Sequence, residues 1–317
     1  LDFEAFDGYY KPIHVKNFTI LSVPEPATRV AMMDRGDADL MYFITGDLLP
    51  GVMKDPKIML APVVSGNWWL EFPGFEDPKS PFNDKRVREA ISLVIDREAM
   101  NRDECAGLGV VDGNWINNDV EYYLPWGKWP HDVDKAKKLM AEAGHANGFT
   151  YDWLTPAPPY YSRGERIIAD LQKIGIRGRL QQLERGVYNA RRQAGMKAWT
   201  GVNIILAGAR IGASWANWYA SLFKCGSRLG ADAICVKDLD AKFDTYTKSD
   251  DAKQREQLAH DIQRDILENY YFIPVFRHAF NNGIGNRIEA KTWHDVFPTV
   301  TTGYAYPWEE IKLKANA

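Results

Sequence analysis

Hydrophobic and polar positions along the chain switch between a period of about two and one near 3.6, the spacings of strands and helices. "HVKNFTILSV" (14–23) alternates well enough for a strand. "PEPATRVAMMDRG" sets proline ahead of a helix that carries Val30 and Met33 toward a core and ends at Gly36. "ADLMYFI" (38–44) is, apart from Asp39, an apolar run of buried-strand type. Strand, helix and strand within about 30 residues predict a βαβ unit with a parallel strand pair, and hence an α/β architecture.

"DLLPGVMKD" then reads as a short helix, and "KIMLAPVV" and "NWWLEFP" as two strands. In "PFNDKRVREAISLVIDREAM" (81–100), Asp84 is a predicted N-cap, and Val87, Ala90, Ile91 and Val94 follow at helical spacing. Asp96 is predicted to end that helix and cap the next with no loop between. Residues 107–131, rich in Gly, Asn, Trp, Tyr and Pro, predict a long irregular segment of the kind that carries function or lines a rim.

The second half repeats the α/β rhythm. Helices are expected over "VDKAKKLMAEAG", "SRGERIIADLQKIG", "RGVYNARRQAG", "SWANWYASLF", 238–248 and 250–269. Strands are expected over "FTYDWLT", "IRGRLQQLE" and "TGVNIILAG", and extended chain over "YYFIPVFRHAFNNGIG". The last 30 residues are aromatic and irregular.

Composition changes this picture little. The 317 residues allow two lobes, and the formal charge of -3 supplies no basic surface for nucleic acid. No apolar run approaches the roughly 18 residues of a membrane span. Eleven Trp and fifteen Tyr are many for this length and suggest a sizeable amphiphilic contact surface. Six scattered histidines and no Cys-x-x-Cys argue against a metal site. Cys225 and Cys235 flank a Gly-rich stretch; they form a bridge in an oxidising compartment and two thiols in a reducing one. "GLGVVDG" (107–113) has one residue too many for a dinucleotide fingerprint and follows a helix, and no Gly-x-Ser-x-Gly elbow occurs.

Taken in order, several stretches resemble the family 5 extracellular solute-binding proteins, the dipeptide- and oligopeptide-binding components of ABC importers. They are "FTILSVPEPATRVAMMDRGDADLM", "SPFNDKRVREAISLVIDREAM", "VDKAKKLMAEAGHANGFTYDW", "RIIADLQKIGIRGRLQQLERGVYNARRQAG", "ANWYASLFKCGS" and "AHDIQRDILENYYFIPVF". The resemblance implies an α/β, bilobal, periplasmic-binding-protein-like fold with an enlarged first lobe. It places hinges near 42–46 and 273–277 and the second lobe at 45–274. Residues 1–44 and 275–317 are then the remainder of a first lobe that is incomplete in this chain. An additional N-terminal segment, or another chain, is expected at its edge. The family also implies a Cys225–Cys235 disulfide, with Cys105 left free.

Peptide-binding members place an aspartate after the strand matching "NIILAG". Here no acid stands between Val202 and Cys225, and the nearest charge is Arg210. Arg210 is therefore the candidate anchor, a guanidinium suited to an acidic group on the solute. Strand alternation puts Trp68 and Trp69 on opposite faces, one toward a ligand and one toward the core. Gly66 and Asn67 offer amide groups beside them, and Trp215 and Tyr42 complete the candidate ligand-binding set. The expected function is non-catalytic capture of a small solute, peptide-like or acidic, for an ABC permease in the inner membrane. That places the protein in a bacterial periplasm or outside the cell, without cofactor, metal or nucleic acid. The competing readings are an α/β enzyme such as a hydrolase with a nonstandard site, and a sensor built on the same fold.

Overall fold

The computed structural model describes residues 1–158, 160–195, 198–209, 214–227, 235–289 and 308–315. The chain divides into two compact units. One comprises Leu1–Gly66, Asn101–Val110 and His278–Ala317; the other comprises Asn67–Met100 and Val111–Arg277.

The larger unit is built on part of a mixed sheet. Strand β4 (Ile58–Glu71) enters it at Asn67 and pairs antiparallel with β7 (Asn203–Ala209), Asn67 opposite Ala209 and Glu71 opposite Ile205. The two runs expected before and after Ser65 are thus one continuous strand. Strand β5 (Phe149–Pro156) lies parallel to β7 and to β6 (Ile176–Leu180), giving the order β4-β7-β5-β6. These are the parallel pairs that the α/β rhythm requires.

Helices follow from local chemistry. Asp84 accepts from Arg86 N at 2.8 Å and opens α3 (Lys85–Val94). Its Val87, Ala90, Ile91 and Val94 are buried, and each branched side chain contributes roughly 1.5–3 kcal/mol by leaving water. Asp96 then accepts from Ala99 N at 2.9 Å and opens α4 (Arg97–Cys105), so one residue separates α4 from the end cap of α3, as expected. Asp132, Glu184 and Asp251 cap α5 (Val133–Glu142), α7 (Arg185–Gln193) and α10 (Ala252–Glu268) in the same way.

Helices α6 (Tyr161–Gln172), α8 (Trp215–Leu222) and α9 (Lys237–Lys248) complete the set. Among them Trp215 meets Tyr246 edge-on at 4.9 Å and Phe243 at 6.0 Å. The irregular segment 111–129 is tied down rather than loose. Gln263 of α10 accepts from Asn114 Nδ2 and Leu124 N and donates to Tyr122 O, and Trp129 Nε1 donates to Gly113 O.

In the smaller unit, α1 (Pro26–Arg35) ends on Gly36, whose φ of 77° is the left-handed cap that glycine allows. Met33, Met41, Ile44, Leu49, Val52 and Ile58 form one core cluster and Ala61, Ile284, Ile288 and Ile311 another, with α2 (Leu49–Val52) a single turn. The parallel pair predicted for this region does not form. The strand expected over 14–23 shrinks to β2 (Asn17–Thr19), antiparallel to β1 (Asp2–Glu4). Strand β3 (Leu40–Met41) is antiparallel to β8 (Ile273–Gly285). Parallel strands need cover on both faces, whereas β2 leaves Asn17 and Thr19 exposed and lodges only Phe18, stacked on Phe3 and Trp308.

Candidate functional site

Strands β5 and β7 run in the same direction and end at Pro156 and Ala209. In open α/β sheets the carboxyl ends of parallel strands are where a crevice opens, because the following loops diverge there. Asn67 and Trp68 of β4 lie at this edge, opposite Ala209 and Gly208. The chain leaving β5 brings Tyr160 and the first turn of α6, with Arg163, to the same edge. Arg210, the next residue after β7, falls outside the described residues.

The two faces of β4 differ. On one, the Trp68 indole lies against Gly208, where an added Cβ would come within 2.8 Å of the ring, so only glycine leaves room. Tyr160 meets the same indole edge-on at 4.7 Å, and the Arg163 guanidinium sits 4.2 Å from the Trp68 ring and 4.3 Å from Tyr160. Arg163 is buried, and a cation held against aromatic rings out of bulk water gains more than an exposed one does. The Trp68 indole N–H is buried without an acceptor among the described residues.

On the other face Asn67, Trp69 and Glu71 follow one another. Trp69 Nε1 donates to Glu71 Oε1 at 2.6 Å, and Arg192 of α7 grips the same carboxylate through both guanidinium nitrogens. Burial opposes the charge on Arg192, but Glu71 and the Tyr188 hydroxyl beside it hold its pKa above the ordinary arginine value. Burial pushes Tyr188 itself up to about 12. Asn67 Nδ2 donates to Asn117 Oδ1, in the irregular segment, at 3.1 Å.

Other charges in this unit are also engaged. Arg277 donates to Asp112 at 2.5 Å, and burial raises the Asp112 carboxyl despite the guanidinium. Arg88 donates to the carbonyls of Phe82, Asn83, Asn269 and Tyr270, where α10 ends, a position that favours a cation. Arg97 donates to Ser92 and to the Pro274 carbonyl, and burial lowers it to about 9, so it stays charged at neutral pH.

Strand alternation separates Trp68 from Trp69 as expected, yet both are buried, at 4% and 2% exposure. Trp215 is in the aromatic core and Gly66 is the buried residue before Asn67. Tyr42 belongs to the smaller unit, partly exposed and stacked near Phe280 at 6.1 Å. The Cys225–Cys235 disulfide is present with Cα atoms 4.5 Å apart, and Cys105 is buried outside it, in no disulfide.

Sequence reasoning missed Arg163, Glu71 with Arg192, and Asn117, because a charged or amide residue reads as solvated wherever its partner is distant in sequence. It also missed Cys105 Sγ, 2.8 Å from His278 Nδ1 across a separation of 173 residues. No cluster of metal-ligating side chains occurs among the described residues.

A sequence model of "Bacterial extracellular solute-binding proteins, family 5 Middle" matches residues 1–222. Heme-binding protein A of Haemophilus influenzae is 30% identical over 222 residues, covering 64% of this chain and 39% of that protein. The dipeptide-binding protein of Escherichia coli K12 is 26% identical over 324 residues, covering 88% of this chain and 57% of that protein. The periplasmic binding protein DppA of Helicobacter pylori, solved with the peptide STSA, superposes with a TM-score of 0.80 at 20% identity, over 98% of this chain and 60% of that one. The chain therefore has the α/β fold of periplasmic binding proteins and spans 39% and 57% of the two curated relatives' lengths. It belongs to the bacterial extracellular solute-binding proteins of family 5.

Proposed function

We propose that this chain takes part in capturing a small solute, without altering it, for an ABC permease in the inner membrane of a bacterium. It would work in the periplasm or outside the cell. The observation that carries the reading is the carboxyl edge of β5 and β7. There Asn67, Trp68, Tyr160 and Arg163 converge on neighbouring elements, as a site for recognition without chemistry requires. Trp68 and Asn67 belong to this site, with Gly66, Trp69 and Arg210 proposed as its neighbours in sequence; Tyr42 and Trp215 are weaker members. The lobes of the proposed capture mechanism are 45–274 and the combination of 1–44 and 275–317, turning near 42–46 and 273–277.

An enzyme would need an accessible nucleophile and base. The described pair that resembles one, Cys105 and His278, is fully buried beside Phe43 and Phe280, where no substrate reaches it. The family relatives bind unlike ligands, heme in one and dipeptides in another, so membership alone leaves the solute open.

A thermal-shift screen of peptides, organic acids, heme and sugars tests the reading. A true solute at a hundredfold excess over Kd adds about 2.7 kcal/mol of stability. It should be recovered unchanged by mass spectrometry after incubation. Conversion of a bound compound, or no stabilisation by any class, would overturn the proposal.

A further inference from the structure

We propose that the free edge of β6, in the larger unit, is a docking site for an acidic polypeptide segment that adds to the sheet as a strand. β6 ends the order β4-β7-β5-β6 and pairs with β5 alone among the described residues. Its outer edge therefore keeps main-chain N–H and C=O groups that a further strand would satisfy. One face of β6 packs on α6, where Leu180 abuts Gly164. The opposite face carries Arg177 and Arg179, both exposed, two residues and so about 6.6 Å apart along the strand.

The cations on this face are placed for an anion from outside the chain. The Arg179 guanidinium lies 4.3 Å from the centre of the Trp153 ring on β5. Stacking fixes its plane and leaves its N–H edge for a carboxylate. Arg191 reaches the same side from α7, 5.2 Å from the Trp199 ring, and donates to the neutral Gln181 Oε1 at 2.7 Å. Arg177 donates to the Gly175 carbonyl at 3.3 Å. None of these three is in an ion pair among the described residues, whereas Lys173 and Arg192 are. The carboxylate of Asp152 on β5 accepts from Val202 N at 2.8 Å. Residues 161–195 hold eight basic and three acidic side chains in a chain of formal charge -3, so the positive excess is local. A carboxylate on every second residue of an added strand repeats at the arginine spacing. A second copy of β6 would set arginine against arginine, which opposes self-pairing and favours an acidic partner. An anionic membrane surface would meet the charge but leave the main-chain groups of the edge unmet.

The test is calorimetry and hydrogen exchange on the full chain with four probes, at low and at physiological salt. These are a blocked peptide alternating Glu and Val, the same peptide with Lys for Glu, the same with Pro for Val, and phosphatidylglycerol vesicles. Proline keeps the charge but removes every second N–H. The expected result is that the Glu–Val peptide binds, protects amides of 176–180 and loses affinity as salt rises. It should bind the double variant Arg177→Ser with Arg179→Ser about tenfold more weakly. Equal binding of the Lys or the Pro peptide would overturn the proposal, because charge or main chain would then not be read. Binding of the vesicles without the Glu–Val peptide would do the same. Acidic-peptide binding that leaves 176–180 unprotected would assign the peptide to the solute site, overturning the docking edge while solute capture stands. Binding of no probe would mean that the arginines only keep the edge solvated, and would overturn it too. The probe comparisons use the unmodified protein and hold even if the variant fails to fold.

Discussion

The two units differ in how much charge they take out of water. Beside surface pairs such as Lys135–Glu89, the larger unit takes several charged side chains out of water and gives them partners: Glu71 has Arg192 and Trp69, Asp112 has Arg277, and Arg88 and Arg97 have backbone carbonyls. The smaller unit keeps ion pairs such as Lys57–Asp34 and Arg287–Asp39 at its surface. Buried charges are costly unless paired, so those of the larger unit fix geometry: removing one partner strands the other. Surface pairs are screened and mobile, and serve solubility more than shape.

The largest effect is expected at the Glu71–Arg192 pair. Arg192→Ala leaves a buried carboxylate with one indole donor and should cost about 3–5 kcal/mol in urea unfolding. Replacing both partners, Glu71→Leu with Arg192→Met, should cost clearly less, because no charge is then stranded. Equal losses in the single and double variants would show that packing, and not charge burial, sets the behaviour of the larger unit.

This contrast also explains what the sequence could and could not disclose. Helix starts are legible because a cap is local: Asp84 and Asp96 are recognised by the apolar stripe that follows each. The split of Trp68 from Trp69 is legible because strand periodicity is local too. The buried charges are not, since Glu71 meets Arg192 only through folding, 121 residues on. Asn117 lies in a segment with no periodicity at all, and nothing near it in sequence indicates Asn67 as its partner. The N-terminal parallel pair that the pattern predicts does not form, for a related reason. The alternation of 14–23 predicts one strand of that pair, but β2, confined to Asn17–Thr19, seats only Phe18 in a two-stranded ribbon.

Asp112 lies between the two regimes and should respond to pH. Burial raises its carboxyl above the ordinary aspartate value of 3.8, with Arg277 pulling the other way. The folded state therefore holds a proton more readily than the unfolded chain does. This group's contribution to stability is full below 3.8 and lost as pH rises through the raised folded value. The stability difference between the unmodified protein and Asp112→Asn should thus move in favour of the unmodified protein on acidification across that window. A difference that is flat with pH, or moves the other way, would place Asp112 with the solvated pairs.

The smallest effect is expected at Lys57. Its ammonium lies 2.9 Å from Asp34, but the two side chains are 55% and 54% exposed, on the rim of a pocket of about 290 Å³ in the smaller unit. The contact raises Lys57 and lowers Asp34 in pKa, chiefly through their mutual hydrogen bond. Water and salt already solvate both charges, and holding two long side chains in one geometry costs entropy that offsets the attraction. Lys57→Ala should leave the urea midpoint unchanged within error at physiological salt, while Arg192→Ala shifts it far. A clear loss that grows as salt is removed would mean that the pair is bound tightly enough to act as a structural element. The difference between the two units would then be one of degree, set by exposure, and not of kind.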